Sequence, residues 1–277
     1  MINKLICVCC SRDLPIFKIS ARYIGKYVDA KNYRVVVPEA DMESFQRCDL
    51  HQFEVVSEEI YKGISDYLKM KGGNNRGRFG WYFQQFIKIS ELRGDNKNTT
   101  NLIWDADTIP LKKLHFIENG KVNYYQGSEY HKPYFDLISR ILSIPKLSDG
   151  SFIAQCFPCK SGWAEGFVSE IEARFKKKWF EAIIDNIDFR ESCGFSEYEA
   201  LGSYLLDKHH DEIRLIDNRW HRLGNSLIGG VSKIDHHAPQ LSKKYDFIAF
   251  ECWDTPTRRF SWSTIKRKVK RVVRRLP

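Results

Sequence analysis

The first sixty residues of the chain alternate short apolar runs with longer segments of mixed polarity. The apolar runs are Lys4 to Cys10, Tyr33 to Val37 and Phe53 to Val56, and each ends at polar residues or proline. We predict three strands there, with helices over residues 16–28 and 41–47 between them. Strands that alternate with helices favour a parallel sheet with helices on both faces. Ligands of such sheets bind at the carboxyl ends of the strands.

The middle of the chain holds a polar loop, a helix and a strand in succession. Residues 71–80 are rich in glycine and asparagine but lack the G-x-x-x-x-G-K-[ST] spacing of a phosphate-binding loop. Trp81 to Leu92 has apolar residues at helical spacing. Asn101 to Trp104 is a short apolar strand that leads directly into Asp105 and Asp107. Further strands are predicted at residues 124–125 and 151–157, and further helices at residues 163–177 and 197–207.

Asp105 and Asp107 are two residues apart at the end of this predicted strand. Side chains two apart on a strand point to the same face, so the two carboxylates would lie together. Like charges this close repel each other unless a cation lies between them, and carboxylate oxygens suit Mg²⁺ or Mn²⁺. A diphosphate would complete the coordination, and the metal would stabilise charge on a leaving nucleoside diphosphate. The pair therefore predicts a divalent metal site.

The composition is that of a packed globular protein, and we expect one large α/β domain. The chain has 277 residues, of which 43% are hydrophobic and 29% charged. No apolar run approaches the roughly 20 residues of a membrane-spanning helix, and the first run is too short for a signal peptide. We expect a cytoplasmic protein whose eight cysteines stay thiols. Cys156 and Cys159 form a C-x-x-C, but no second pair completes a zinc site.

The positive charge is concentrated at the carboxyl terminus. The net charge is +9, and the residues after Asp254 carry nine Lys or Arg and no acid. We therefore divide the chain into a domain of residues 1–255 and a basic tail of residues 256–277. Apolar residues recur in the tail at spacings of three and four, which predicts a basic amphipathic helix. Such a helix is typical of binding to an anionic membrane surface. A packing helix is the alternative, and nucleic acid is not expected because aromatic residues do not alternate with basic ones.

Three segments occur in a characteristic order: Gly80 to Lys88, the Asp105-Ala-Asp107 segment, and Gly194 to Gly202. In this order they resemble a family of poorly characterised bacterial glycosyltransferases of the GT-A type, found with surface-polysaccharide genes. The resemblance implies a Rossmann-like GT-A fold, a nucleotide-sugar donor, a divalent metal, and a growing glycan or lipid-linked acceptor. It also implies a role in lipopolysaccharide, O-antigen or capsule synthesis. The basic tail, rather than the resemblance, predicts a location at the inner face of the cytoplasmic membrane.

The resemblance also suggests roles for individual side chains. An inverting transferase needs a carboxylate base, and the resemblance places it at Glu197, with Glu199 second. Ser196 and Glu199 also fit an S-x-x-E capping box, which is the structural alternative for Glu199. The expected third metal ligand is a histidine towards the carboxyl terminus, either His221 or His237. The side chains expected near the donor are Arg12, Asp13, Arg78, Gln85, Lys88 and Asp105.

Three further interpretations remain open. Trp163 offers a ring on which a sugar could stack, or it belongs to the core. The Asp105 segment also resembles the D-x-D-x-[TV] loop of haloacid-dehalogenase-like phosphatases, in which the first Asp is a nucleophile. Here Thr108 comes one place early, and the motif lies in the middle of the chain. A non-catalytic module that binds a sugar or a nucleotide is the other alternative, for which Asp105 and Asp107 would be dispensable.

Overall fold

The structure is a computed structural model that describes residues 1–72, 77–191, 193–217 and 219–255. The predicted tail at residues 256–277 lies outside this range. The strands are β1 (Ile2–Val8), β2 (Ala30–Val37), β3 (Phe53–Ser57), β4 (Thr100–Trp104), β5 (Thr108–Pro110), β6 (Ile117–Glu118), β7 (Lys121–Tyr125), β8 (Cys156–Lys160), β9 (Ile213–Ile216), β10 (Trp220–His221) and β11 (Phe247–Ala249). The helices are α1 (Leu14–Tyr27), α2 (Met42–Gln46), α3 (Lys62–Met70), α4 (Phe79–Leu92), α5 (Lys132–Leu142), α6 (Ser161–Phe175), α7 (Trp179–Asn186), α8 (Glu197–Lys208), α9 (Gly224–Ile228) and α10 (Ile234–Leu241).

A five-stranded sheet in the order β3-β2-β1-β4-β8 carries the fold. The first four of these strands are parallel, and β8 pairs with β4 in the antiparallel direction. The strands predicted from the first three apolar runs are confirmed as β1, β2 and β3. The predicted class, a mixed and mostly parallel sheet flanked by helices, is also confirmed. Consequently the carboxyl ends of β1, β2, β3 and β4 share one edge.

The core covers both faces of this sheet, because successive residues of a strand point to opposite faces. In β1, Leu5 and Cys7 pack with Phe17 of α1, while Ile6 packs in the cluster that contains Phe86 of α4. All five side chains are fully buried. Each large apolar side chain buried in this way stabilises the fold by about 1.5–3 kcal/mol. The run from Leu5 to Cys9 is therefore continuously apolar because both faces of the strand are covered.

Two small sheets extend the central one, in the orders β10-β11-β5 and β6-β7-β9. In the first, β11 pairs antiparallel with β5, and Ala249 lies opposite Thr108. The backbone N–H of Phe250 then donates to the carbonyl oxygen of Asp107 at 2.9 Å. This pairing brings the residues that follow β11 next to the Asp105 segment, although they lie far apart in the sequence.

One predicted strand has different bounds. Residues 151–157 were expected to be extended throughout, but β8 begins at Cys156 and continues to Lys160. Gln155 has a φ of 65°, in the left-handed region, which breaks the extended run. Before it, Ser151 makes only an isolated bridge with Gly127.

Within the described residues, no helix has both the length and the apolar character needed to cross a bilayer.

Candidate functional site

The two carboxylates predicted as a metal site lie at the carboxyl edge of the central sheet. Since β1 and β4 are neighbours, the turn after β1 and the residues after β4 leave the sheet side by side. The turn after β1 contains Arg12 and Asp13, at the position that the sequence predicts. Arg12 Nη2 lies 2.9 Å from Asp13 Oδ2, and its side chain is largely exposed. An anionic ligand at this edge would therefore meet a basic group as well as the acids.

Asp105 is held by two donors from separate helices. Lys88 Nζ of α4 donates to Asp105 Oδ1 at 2.6 Å, and the Tyr198 hydroxyl of α8 donates to the same oxygen at 2.7 Å. The Asp105 backbone N–H donates to the carbonyl oxygen of Gln155 at 2.9 Å, which continues the β4–β8 pairing. Both the backbone and the carboxylate of Asp105 are therefore fixed in place.

Lys88 is the centre of this network. Its side chain is 5% exposed, and its Nζ also donates to Glu197 Oε1 at 2.7 Å. Burial alone lowers the pKa of Lys88, but the charges of Asp105 and Glu197 outweigh it and raise the pKa above its usual value. Lys88 is thus a buried cation with two carboxylate partners. The expectation that it lies near the donor position stays a prediction.

Glu197 has a structural task that the sequence did not indicate. Its side chain is 5% exposed and compensates the charge of Lys88. Burial raises the pKa of Glu197, and Lys88 opposes that shift. Its backbone N–H donates to Gln85 Oε1 at 3.0 Å. The catalytic role of Glu197 stays a prediction, and it must now be reconciled with this ion pair.

The capping interpretation of the Ser196 segment is confirmed in part. Ser196 is the N-cap of α8, and its hydroxyl accepts a hydrogen bond from the Glu199 backbone N–H at 3.4 Å. The Glu199 carboxylate does not complete the capping box and instead accepts a hydrogen bond from the Ser151 hydroxyl. Burial raises the pKa of Glu199. Glu199 therefore joins α8 to the segment before β8.

Gln85 and Arg78 each have partners within the protein. Gln85 is buried and donates to the Trp81 carbonyl oxygen at 3.1 Å, in addition to its bond from Glu197. Arg78 precedes α4, donates to the Cys193 sulfur and lies 4.8 Å from the centroid of the Trp81 ring. Both residues thus help to position the start of α8 and the segment before it.

Asp107 has surroundings unlike those of Asp105. It is only partly exposed, and the Thr108 hydroxyl lies 3.4 Å from its Oδ1. Its pKa is raised to about 8, first by burial and then by three carboxylates, of which Glu251 acts most strongly. The other two are Asp105 and Asp13. Within the described ranges, no basic side chain forms an ion pair with Asp107, so its negative charge is not compensated by the protein there.

Glu251 is a site residue that sequence reasoning missed. It follows β11, and its carboxylate accepts hydrogen bonds from Arg222 Nε at 2.7 Å, Gln155 Nε2 at 3.2 Å and Trp253 Nε1 at 3.0 Å. The signal was present, because Glu251 directly follows an apolar run, as Asp105 does. The run is short, however, and its position opposite β5 depends on pairing between distant segments.

The two histidines expected as metal ligands have other contacts. His221 stacks on Tyr245 at a centroid distance of 5.2 Å, and His237 lies against His236 on α10. In the described part of the chain, no hydrogen bond or ion pair joins either of them to Asp105 or Asp107. There, no three or more His, Cys, Asp or Glu side chains form a group that could hold a metal by themselves. The histidine ligand stays a prediction without a supporting contact.

Trp163 belongs to the core, which was the second of its two interpretations. It is 6% exposed and stacks on His209 at 4.8 Å, so neither a sugar nor any other ligand can lie on its ring.

The cysteines are free thiols, as expected, and Cys156 and Cys159 are buried in β8. Burial raises the pKa of both thiols, which makes them poor metal ligands or nucleophiles.

The chain is similar to several solved structures. No protein-family model and no curated protein matches it significantly. Its structure is similar to mouse xyloside xylosyltransferase 1 in the apo form, with a TM-score of 0.51 and 10% identity, over 93% of this chain and 100% of that one. It is also similar to the apo structure of the bifunctional glycosyltransferase WbbM, with a TM-score of 0.50 and 10% identity, over 92% of this chain and 46% of that one. These similarities confirm the predicted GT-A fold.

Proposed function

We propose that this chain is a glycosyltransferase that moves a sugar from a nucleotide-sugar donor to a hydroxyl group of an acceptor. The observation that supports this most strongly is the acidic edge at Asp105 and Asp107, where the carboxyl ends of β1 and β4 meet. The fold is shared with two glycosyltransferases, but a fold alone does not determine a function. The donor diphosphate would lie at this edge, between the Arg12 turn and Asp107.

A divalent cation, Mn²⁺ or Mg²⁺, is part of the proposal. The available donors fit, because carboxylate oxygens are the ligands that both ions prefer, and Asp107 has no basic partner among the described residues. Asp107 and Glu251 would hold the ion, and the donor diphosphate would supply further oxygens. When bound, the ion would offset the charge that develops on the leaving diphosphate.

The stereochemistry of transfer depends on Glu197. Inversion requires a base for the acceptor proton, and Glu197 can serve only if Lys88 moves away from it. Lys88 has a second partner in Asp105 at 2.6 Å, so it would stay paired after such a move. We propose inversion by this exchange. The anomeric configuration of the product, measured by NMR, tests it, and a retained configuration would remove Glu197 from the role of base.

The acceptor and the location rest on the sequence. We propose a glycan or lipid-linked acceptor of bacterial surface polysaccharide, with the enzyme on the cytoplasmic side of the membrane. Nine cations and no acids after Asp254 support binding to anionic lipid. Co-sedimentation with anionic liposomes should be strong for the full chain, weaker in high salt because charges are screened beyond about 8–10 Å, and lost after removal of residues 256–277. Equal sedimentation of both forms would contradict the membrane proposal.

The two alternative functions are less well supported. A phosphatase of the haloacid-dehalogenase type would use Asp105 as a nucleophile, but Oδ1 of Asp105 already accepts hydrogen bonds from Lys88 and Tyr198. Asp105 also follows the fourth strand rather than the first. A non-catalytic module that binds a sugar or a nucleotide would bind its ligand at the same acidic edge but would catalyse no reaction. An assay for transfer of the sugar therefore distinguishes the glycosyltransferase from the binding module.

The decisive experiment uses a panel of nucleotide sugars with and without Mn²⁺. A ligand that binds only the native state raises the melting temperature with its concentration, so the true donor should raise it only when Mn²⁺ is present. The same donor should then release its nucleoside diphosphate during transfer. Stabilisation without any release would favour the binding module. If no nucleotide sugar has an effect, the proposed function is wrong.

A further inference from the structure

Trp253 is the only tryptophan of the described ranges that is mostly exposed, at 58%. A single exposed apolar side chain is ordinary on a protein surface, but polar neighbours hold this one in place. Trp253 Nε1 donates to Glu251 Oε2 at 3.0 Å, and the Arg222 guanidinium carbon lies 5.6 Å from the ring centroid. The ring is therefore held at its edge and at one side without being buried.

The partners of Trp253 are themselves fixed. Arg222 Nε donates to Glu251 Oε1 at 2.7 Å, and its guanidinium also forms an ion pair with Glu129. Gln155 Nε2 donates to the same oxygen of Glu251 at 3.2 Å. The indole and its polar neighbours thus form one preorganised group, so that binding to it requires little ordering of side chains.

This group adjoins the acidic edge. The Gln155 carbonyl oxygen accepts the backbone N–H of Asp105, and the backbone N–H of Phe250, which precedes Glu251, donates to the Asp107 carbonyl oxygen. Two short connections therefore link Trp253 to the carboxylate pair. A ring stacked on Trp253 would therefore lie near the edge proposed for the donor diphosphate.

We propose that Trp253 is the surface on which a sugar ring of the acceptor stacks, with Arg222 and Glu129 as hydrogen-bond partners of its hydroxyl groups. This inference rests on the proposed function. A pyranose has an apolar C–H face and a rim of hydroxyls, and the site offers an aromatic face beside planar groups that bind two hydroxyls at once. Such pairing of an apolar surface with a few fixed polar groups is typical of small-molecule sites.

Saturation-transfer NMR with methyl glycosides of glucose, galactose, xylose and N-acetylglucosamine tests this directly. The wild type should transfer saturation to the ring protons of at least one glycoside. Trp253→Ala should weaken that signal by about tenfold, as expected for loss of roughly 1.4 kcal/mol of stacking, whereas Trp253→Phe keeps a ring and should retain most of it. Ile60→Ala removes another exposed apolar side chain and should change nothing.

Calorimetry of the nucleotide-sugar panel with Mn²⁺ separates the possible failures. The proposal requires that Trp253→Ala weakens glycoside binding more than nucleotide-sugar binding. An equal or larger loss of nucleotide-sugar affinity would assign the ring to the donor and overturn the proposal. It is also overturned if the wild type gives no glycoside signal, or if Trp253→Ala gives the same signal as the wild type. If the wild type binds glycosides but no nucleotide sugar, the proposed function fails while the stacking surface stands.

Discussion

Asp105 and Asp107 are separated by one residue, yet their surroundings are opposite. Asp105 accepts hydrogen bonds from Lys88 and Tyr198, and its charge is compensated by a buried cation. Asp107 faces acids, and Glu251 is the charge that acts on it most strongly. A shared motif therefore does not imply a shared task. We infer that Asp105 fixes the architecture of the site and that Asp107 is the carboxylate ready to receive a cation.

The two regions should also respond differently to the loss of a charge. In the Lys88 network, Lys88 and Glu197 are buried, Asp105 is partly buried, and each charge is paired. Removing one partner therefore leaves an uncompensated charge in or near the interior. On the Asp107 side, removing a carboxylate relieves repulsion. Replacing one charged side chain by a neutral one should therefore lower the free energy of unfolding in the Lys88 network. On the Asp107 side it should raise the free energy of unfolding when no divalent cation is present.

The largest expected effect is on transfer by Glu197→Gln. If Glu197 is the base, the substitution should lower the rate of nucleoside diphosphate release in the transfer reaction by about 10²–10⁴ while donor binding survives. Glu199→Gln is the matched control and should retain most activity, because Glu199 contacts Ser151. Full activity of Glu197→Gln would reduce Glu197 to a charge partner of Lys88 and favour a retaining mechanism.

Lys88→Met should destabilise the fold by about 3–5 kcal/mol, because it leaves two carboxylates without their buried cation. Urea unfolding measures this. The double variant Lys88→Met with Glu197→Gln should recover part of the loss, since one of the unpaired charges is removed as well. Strictly additive effects of the two substitutions would show that the pair at 2.7 Å is not coupled in solution.

Asp107 should make stability depend on pH when metal is absent. Its folded pKa of about 8 lies above the roughly 3.9 of an unfolded chain. The folded state therefore holds this proton more tightly, so the stabilisation is complete below about pH 4 and is lost as the pH rises through about 8. Compared with Asp107→Asn, the wild type should lose up to about 1.4 kcal/mol per pH unit in that window. Urea unfolding in EDTA gives the difference, and a difference independent of pH would contradict the account.

The smallest effect is expected at the start of α8. Ser196→Ala removes the hydroxyl that caps the helix and should lower the free energy of unfolding by about 1 kcal/mol. Ser196→Thr keeps a hydroxyl and should restore most of it. A loss much larger than this would mean that the cap also supports the Lys88 network through Glu197.

The sequence predicted features that depend on neighbouring residues. The strand end at Trp104 and the cap at Ser196 follow from local polarity and local hydrogen bonding, and both are found. The first strand was placed correctly, but it ends at Val8 rather than at Cys10. What the sequence missed depends on distant pairing. Lys88 and Glu197 are 109 positions apart, and Glu251 reaches Asp107 only through β11. Exposure is also a tertiary property, which is why sequence reasoning left Trp163 open as either a sugar-facing ring or a core residue and did not single out Trp253, the mostly exposed tryptophan of the described residues.

The central claim is that a cation and a nucleotide sugar bind on the Asp107 side, and isothermal titration calorimetry tests it most directly. The donor identified from the panel is titrated with Mn²⁺ into the wild type, Asp107→Asn and Glu251→Gln. The account predicts that Asp107→Asn abolishes Mn²⁺-dependent binding, because it removes a charged oxygen ligand, and that Glu251→Gln weakens it by about tenfold or more. Unchanged Mn²⁺-dependent affinity in Asp107→Asn would contradict both the metal site and the proposed function.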